Sequence, residues 1–265
     1  MAVATRQLGD DLMAETEDLL CLVTPLDRAG WDTATPAPGW SVADQVGHLA
    51  YFDEQLTLAA TDPDAFRERR REALVDVEGF IDAAVGAVRS RPTTDLVPWL
   101  GRSRRAMLEA TGTVAPGTRV PWFGPDMSVA SALTARIMET WAHGQDVADA
   151  VGRTRQPTSR LRHVCFLGYR SFSNSFRSRG LEVPDAEVRV ELDGPDGNVW
   201  AFGPPAAADQ VHGSALDFCL VVTQRRHRDD TDLVSNGDVA SHWLDIAQAF
   251  AGPPGPGRQP GLFPS

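Results

Sequence analysis

The chain contains no lysine; all 25 of its basic residues are arginine. That absence removes several chemistries. There is no amine to form a Schiff base or anchor pyridoxal phosphate, and none to complete a Walker-A phosphate loop. Arginine codons are GC-rich, so the bias also points to a high-GC bacterial genome. Cysteine is nearly as scarce. Cys21, Cys165 and Cys219 are far apart, odd in number and without a CxxC pair. This excludes a disulfide framework and a zinc ribbon, and predicts buried thiols. No apolar run approaches the ~20 residues of a membrane span. The start Met1-Ala-Val-Ala-Thr-Arg-Gln7 is polar within a few residues and carries no secretory signal, so a cytoplasmic protein is expected. Positive charge is also in deficit: a net charge of −11 argues against a nucleic-acid partner.

What is present is globular in composition, with 265 residues, 42% of them hydrophobic and 23% charged. That length suits one large domain or two modest ones. Leu8, Leu12, Leu19, Leu20 and Val23 recur along residues 5–24 with acids between them, which predicts an amphipathic helix ended by Pro25. Ser41 fits an N-cap, with Asp44 in the capping-box position, opening a helix over 42–60. His48 lies at the edge of its apolar face, beside Gln45 and Phe52. Residues 63–74 predict a short exposed helix, and further helices follow over 77–89 and 95–111. Residues 115–125 hold three prolines and two glycines, so they form a loop, which carries Trp122 and Phe123. Ser128 starts a long helix ending at Gly152, and another is expected over 159–179.

After Pro184 the period shortens. Val188, Val190 and Leu192 alternate with polar residues as a strand does, residues 193–197 form a turn, and 199–202 return. A third strand within 205–212, a helix over 215–226, a short strand at 232–234 and a helix over 239–251 complete the pattern. The expected fold is α+β. A helical domain spans 1–182, a small α+β domain spans 185–252, and a flexible Pro/Gly-rich tail covers 253–265.

The chemistry concentrates on the 128–151 helix. Glu139 and His143 are one turn apart and leave the same face. Ala132, Arg136, Glu139, His143, Asp146, Val147 and Ala150 fall within a sector of about 100°. If that face points inward, its polar groups must be paired or bind something. With His48 from the earlier helix, Glu139 and His143 make a three-ligand set with an open position, the pattern of a catalytic metal site. Two imidazoles and a carboxylate suit zinc, and also nickel, iron or manganese. Gln45 and Asp146 are candidates to orient the histidines. Arg136 either holds a substrate carboxylate or pairs with Glu139 or a neighbouring acid.

Two segments carry a family resemblance. They are Trp40-Ser-Val-Ala-Asp-Gln-Val-Gly-His48-Leu-Ala50 and Arg136-Ile-Met-Glu139-Thr-Trp-Ala-His143-Gly-Gln-Asp-Val-Ala-Asp149. Together they resemble the DinB/YfiT-like metal-binding four-helix bundle, and within it the mycothiol-dependent maleylpyruvate isomerase group. The resemblance implies a divalent metal, usually zinc, on His48, Glu139 and His143, and mycothiol as a low-molecular-weight thiol cofactor in an actinobacterial protein. It extends loosely to the second domain, where Val211-His-Gly-Ser-Ala-Leu-Asp-Phe218 and Arg225-Arg226 resemble the sterol-carrier-like module of that group. It implies that Arg225 or Arg226 reaches the site. The loop bearing Trp122 and Phe123 is expected to line the pocket mouth and meet the cofactor, as is Gln45.

The functional expectation is a metal-dependent isomerase or thiol transferase acting on a small electrophile, as a monomer or homodimer. Two alternatives stand beside it. One is a metal-dependent but thiol-independent hydrolase, isomerase or cyclase. The other is a non-catalytic, metal-stabilised protein that binds a small ligand.

Overall fold

A computed structural model describes residues 5–252 and 254–263, without the side chains of residues 77, 78, 81 and 82. The chain divides into two compact units, Met1–Arg155 and Gln156–Ser265.

The first unit is built on four long helices, α1 (Thr5–Val23), α3 (Val42–Thr61), α6 (Thr93–Gly112) and α7 (Val129–Ala150). Shorter helices α2 (Arg28–Trp31), α4 (Pro63–Val75) and α5 (Val77–Arg89) fill the connections. α3 packs on α6 and α7, and α1 on α7. The capping box forms as expected. The Ser41 hydroxyl accepts from the Asp44 amide, and the Ser41 amide donates to the Asp44 carboxylate at 2.9 Å. Arg89 braces the same carboxylate through its Nε, also at 2.9 Å. α5 comes close to α3 at Gly47, where a Cβ would lie 2.2 Å from the Val88 side chain. α4 is less exposed than its charges suggest, because Phe66 and Ala73 are buried on its inner face. The loop over 115–125 includes half of a two-stranded ribbon, with β1 (Arg119–Val120) antiparallel to β2 (Met127–Ser128). No helix among the described residues is long and apolar enough to cross a membrane.

The second unit begins earlier than expected, at residue 156 rather than near 185. The helix expected over 159–179 is two helices, α8 (Leu161–Arg170) and α9 (Phe172–Arg177), with Ser171 between them. Both pack within this unit, α8 on α10 (Ala215–Val222) and α9 on α11 (Asp238–Ile246). Buried apolar positions on α8 draw it to the sheet domain, a preference that helical periodicity alone does not disclose.

The sheet has strands β3 (Val188–Asp193), β4 (Val199–Phe202), β5 (Asp209–Ser214) and β6 (Val234–Asn236), in the order β4-β3-β5-β6. β3 pairs antiparallel with β4 and parallel with β5, and β5 pairs antiparallel with β6. The tail is less free than its composition suggests. The Gly261 amide donates to Asp230 at 2.7 Å, and the Phe263 ring lies under the Arg226 guanidinium. The fold is therefore a helical bundle joined to a small α+β unit.

Candidate metal centre

α3 and α7 cross with His48 on one and Glu139 and His143 on the other. One ligand atom from each of these residues lies within 4.8 Å of the other two. The His48 and His143 ring centroids are 4.5 Å apart, and His143 Nε2 is 3.2 Å from Glu139 Oε2. The inward-facing sector of α7 is as expected: Ala132, Arg136, His143, Asp146 and Val147 are all buried. Its other faces are enclosed too, by Leu133, Ile137, Met138 and Trp141.

A chain of hydrogen bonds fixes how His143 presents itself. The Trp40 carbonyl can only accept, and the Thr35 hydroxyl donates to it at 2.9 Å. Thr35 Oγ1 then accepts from Gln45 Nε2 at 2.8 Å. That leaves Gln45 Oε1 as the acceptor for His143 Nδ1. His143 must therefore carry its proton on Nδ1, and in the neutral ring the Nε2 lone pair faces the Glu139 carboxylate. Two acceptors facing each other at this distance repel unless a proton or a cation lies between them. A zinc ion with bonds of about 2.0–2.1 Å in tetrahedral geometry would separate two such atoms by about 3.3 Å. The donor set and its spacing thus fit a divalent ion.

Burial raises the pKa of Glu139. With no cation between them the shared proton takes that place: His143, then an imidazolium, donates to Glu139 from Nε2, and this bond with the charges of His143, His48 and Arg136 outweighs burial and holds the carboxyl at about 2, below its ordinary 4.5. Glu139 is thus an anion, as a metal ligand must be.

Arg136 behaves as the second of its two expected readings, with a different acid. Its Nε donates to Asp53 Oδ1 at 2.9 Å and its Nη2 to the Leu49 carbonyl at 3.0 Å, all of it buried. Arg104 Nε holds the other Asp53 oxygen at 2.5 Å, and its Nη1 donates to Thr16 at 2.7 Å and Thr140 at 3.2 Å. Burial lowers the Arg104 pKa, Asp53 raises it, and the Arg136 charge lowers it further. The Arg136 guanidinium is a strut behind the site, committed to Asp53 rather than extended toward a substrate carboxylate. Asp53 and Arg104 were not singled out in the sequence, yet a signal was there. Asp53 continues the buried stripe Val42, Val46, Leu49, Leu56, and Arg104 sits between Leu100 and Met107. A charge on an apolar stripe needs a partner.

Aromatic rings wall the histidines. Trp40 stacks on His143 with centroids 5.9 Å apart, and it tilts against His48 at 5.2 Å. Phe52 is 4.5 Å from His48. Trp122 and Phe123 stand one ring further out, at 6.3 and 5.9 Å from Phe52, and pack also on Phe66. Asp146 is buried on the same helix. Arg225 and Arg226 follow α10 in the second unit. Arg225 Nη1 donates to the Thr223 carbonyl at 2.7 Å and Arg226 Nη1 to the Arg225 carbonyl at 2.8 Å.

Comparison with known proteins agrees with this layout. Residues 12–148 match the family model described as mycothiol maleylpyruvate isomerase N-terminal domain. In the second unit, where a sterol-carrier likeness was expected, residues 184–236 match the model described as wyosine base formation. An uncharacterized protein found in two strains of Mycobacterium tuberculosis is 45% identical over 248 residues, covering 94% of this chain and 96% of that protein. The crystal structure of the mycothiol-dependent maleylpyruvate isomerase is similar in fold, with a TM-score of 0.57 at 16% identity over 88% of this chain and 93% of that one. A histidine-to-alanine variant of the same enzyme gives the same values.

Proposed function

The chain belongs to the mycothiol maleylpyruvate isomerase N-terminal domain family, and from that premise we propose that it is a metal- and thiol-dependent enzyme. His48, Glu139 and His143 are the proposed ligands of a divalent ion, zinc first, and mycothiol is the proposed thiol. The substrate class is a small electrophile, and the compartment is the cytoplasm of an actinobacterium, as its mycobacterial relatives suggest. The observation that carries this reading is the relay from Trp40 through Thr35 and Gln45, which turns a His143 lone pair toward the Glu139 carboxylate.

When bound, the two groups would supply Lewis acidity and a sulfur nucleophile, the chemistry that isomerisation or S-transfer on a small electrophile calls for. The chain's own residues prepare that chemistry. Gln45 fixes the tautomer and orientation of His143. The Asp53–Arg136 pair ties α3 to α7 and so holds His48 in register with Glu139 and His143. Trp40 packs against both imidazoles and Phe52 against that of His48. Arg225 or Arg226 is the proposed anchor for a carboxylate.

Elemental analysis of the purified protein tests the first half of the reading. One equivalent of metal is expected in the wild type and loss of it in Glu139→Ala, with helical content kept by circular dichroism. A wild type without stoichiometric metal would overturn it. Adding mycothiol to the cobalt-substituted protein tests the second half: a changed visible spectrum is expected, and an unchanged one removes the thiol.

A further inference from the structure

The cysteines of the second unit lie 54 positions apart in sequence and meet in space. α8 approaches α10 closely at Gly168, where a Cβ would lie 2.8 Å from the Val222 side chain and 2.9 Å from that of Phe218. That approach brings Cys165 of α8 against Cys219 of α10. Their Sγ atoms are 3.4 Å apart, both side chains are fully buried, and both residues are present as thiols. Each sulfur also contacts a carbonyl at the start of the partner helix. Cys165 meets that of Ala215 at 3.7 Å, and Cys219 that of Leu161 at 3.6 Å. Cys21, in the first unit, is exposed.

We propose that Cys165 and Cys219 are a modification site, forming a reversible disulfide with a peroxide as oxidant. A disulfide is about 2.05 Å long, so each sulfur need move only about 0.7 Å. In the first step one thiolate attacks a peroxide oxygen, an S–O bond forms as the O–O bond breaks, and one water leaves after proton transfer. In the second step the other sulfur attacks the sulfenic sulfur. An S–S bond forms, the S–O bond breaks, and the second water leaves. Two thiols and one hydrogen peroxide thus give one disulfide and two waters. Burial admits a small peroxide far better than a bulky disulfide, so Cys21 reacts first with most reagents. The bond staples α8 to α10 and closes a long loop, which restricts the unfolded chain. Two buried thiols can also be mere packing, small apolar groups in contact; that alternative predicts no cross-link.

The full-length Cys21→Ser protein, altered only at an exposed position, separates the two. After hydrogen peroxide under native conditions, its intact mass should fall by two hydrogens. Peptide mapping should join Cys165 to Cys219, thiols titrated in denaturant should fall from two to none, and the melting temperature should rise. Dithiothreitol should reverse all four changes. Two titratable thiols persisting under peroxide that consumes Cys21 of the wild type would overturn the proposal, as would gain of oxygen without a cross-link.

Discussion

The two units bury their polar groups differently. Among the described residues, the helical unit keeps Glu15, Asp53, Arg104, Arg136, His143 and Asp146 inside. The second unit buries mainly hydroxyls and amides, and its Ser171 and Thr223 hydroxyls donate hydrogen bonds to the carbonyls of Gly168 and Cys219, one turn earlier. A hydroxyl satisfied within its own helix costs little. A buried charge costs several kcal/mol in desolvation and needs partners from other elements to offset it. Arg104 draws them from α1, α3 and α7 at once. The helical unit thus spends stability on fixing the mutual placement of its helices, and the candidate ligands stand on two of them. Among the described residues of the second unit, the buried carboxylate is that of Asp230, which accepts from the Gly261 amide at 2.7 Å.

The sharpest way to break this contrast is Asp53→Ala. It leaves the Arg104 and Arg136 guanidinium groups buried without their shared carboxylate, and about 3–5 kcal/mol of stability should be lost in urea denaturation. A loss under about 1 kcal/mol would mean that the lattice is not what fixes the bundle. Next in size is Gln45→Ala. It frees the His143 tautomer and should weaken metal binding by about 10- to 100-fold in chelator competition, with the fold intact. Unchanged affinity would detach the relay from the site.

A smaller effect is expected at the head of α3. Burial raises the Asp44 pKa, but the Arg89 hydrogen bond, the Ser41 bonds and the Arg89 charge together hold it below its ordinary 3.8. The folded state then binds fewer acid protons than the unfolded one. The stabilisation is complete above the ordinary carboxylate range and is lost as the pH falls through it toward the depressed folded value. Asp44→Asn should remove about 1 kcal/mol at neutral pH and flatten the acid limb of a stability–pH curve. An acid limb as steep as that of the wild type would place the titration elsewhere. Smallest is Thr223→Val in the second unit, where about 1 kcal/mol or less is expected in the same urea assay. A cost comparable to that of Asp53→Ala would erase the distinction between the units.

Much of the site was legible in the chain. One helical turn separates Glu139 from His143, and the polar sector of α7 had to face partners or a ligand, as it does. The capping box placed the start of α3, and hence the height of His48 along it. Arg136 was legible as a residue needing a partner, but its acid lies 83 positions away, beyond any local rule. Trp40 and Thr35 belong to a loop whose backbone bends back so that one carbonyl can anchor the relay, which no periodicity announces. The break at Ser171 and the parallel seating of β5 beside β3 were equally hidden, since both follow from what α8 and β5 pack against.

The sequence by itself determined the period of each element, the caps that start the helices, and the residues able to hold a cation. These depend on neighbours within about one turn, where covalent geometry sets the distances. Only the tertiary structure decided which distant groups meet: Asp53 with two arginines, Gln45 with His143, Cys165 with Cys219. Those meetings are set by the fit of whole faces. The energy of such a fit is spread over many weak contacts, and no short stretch of sequence contains it.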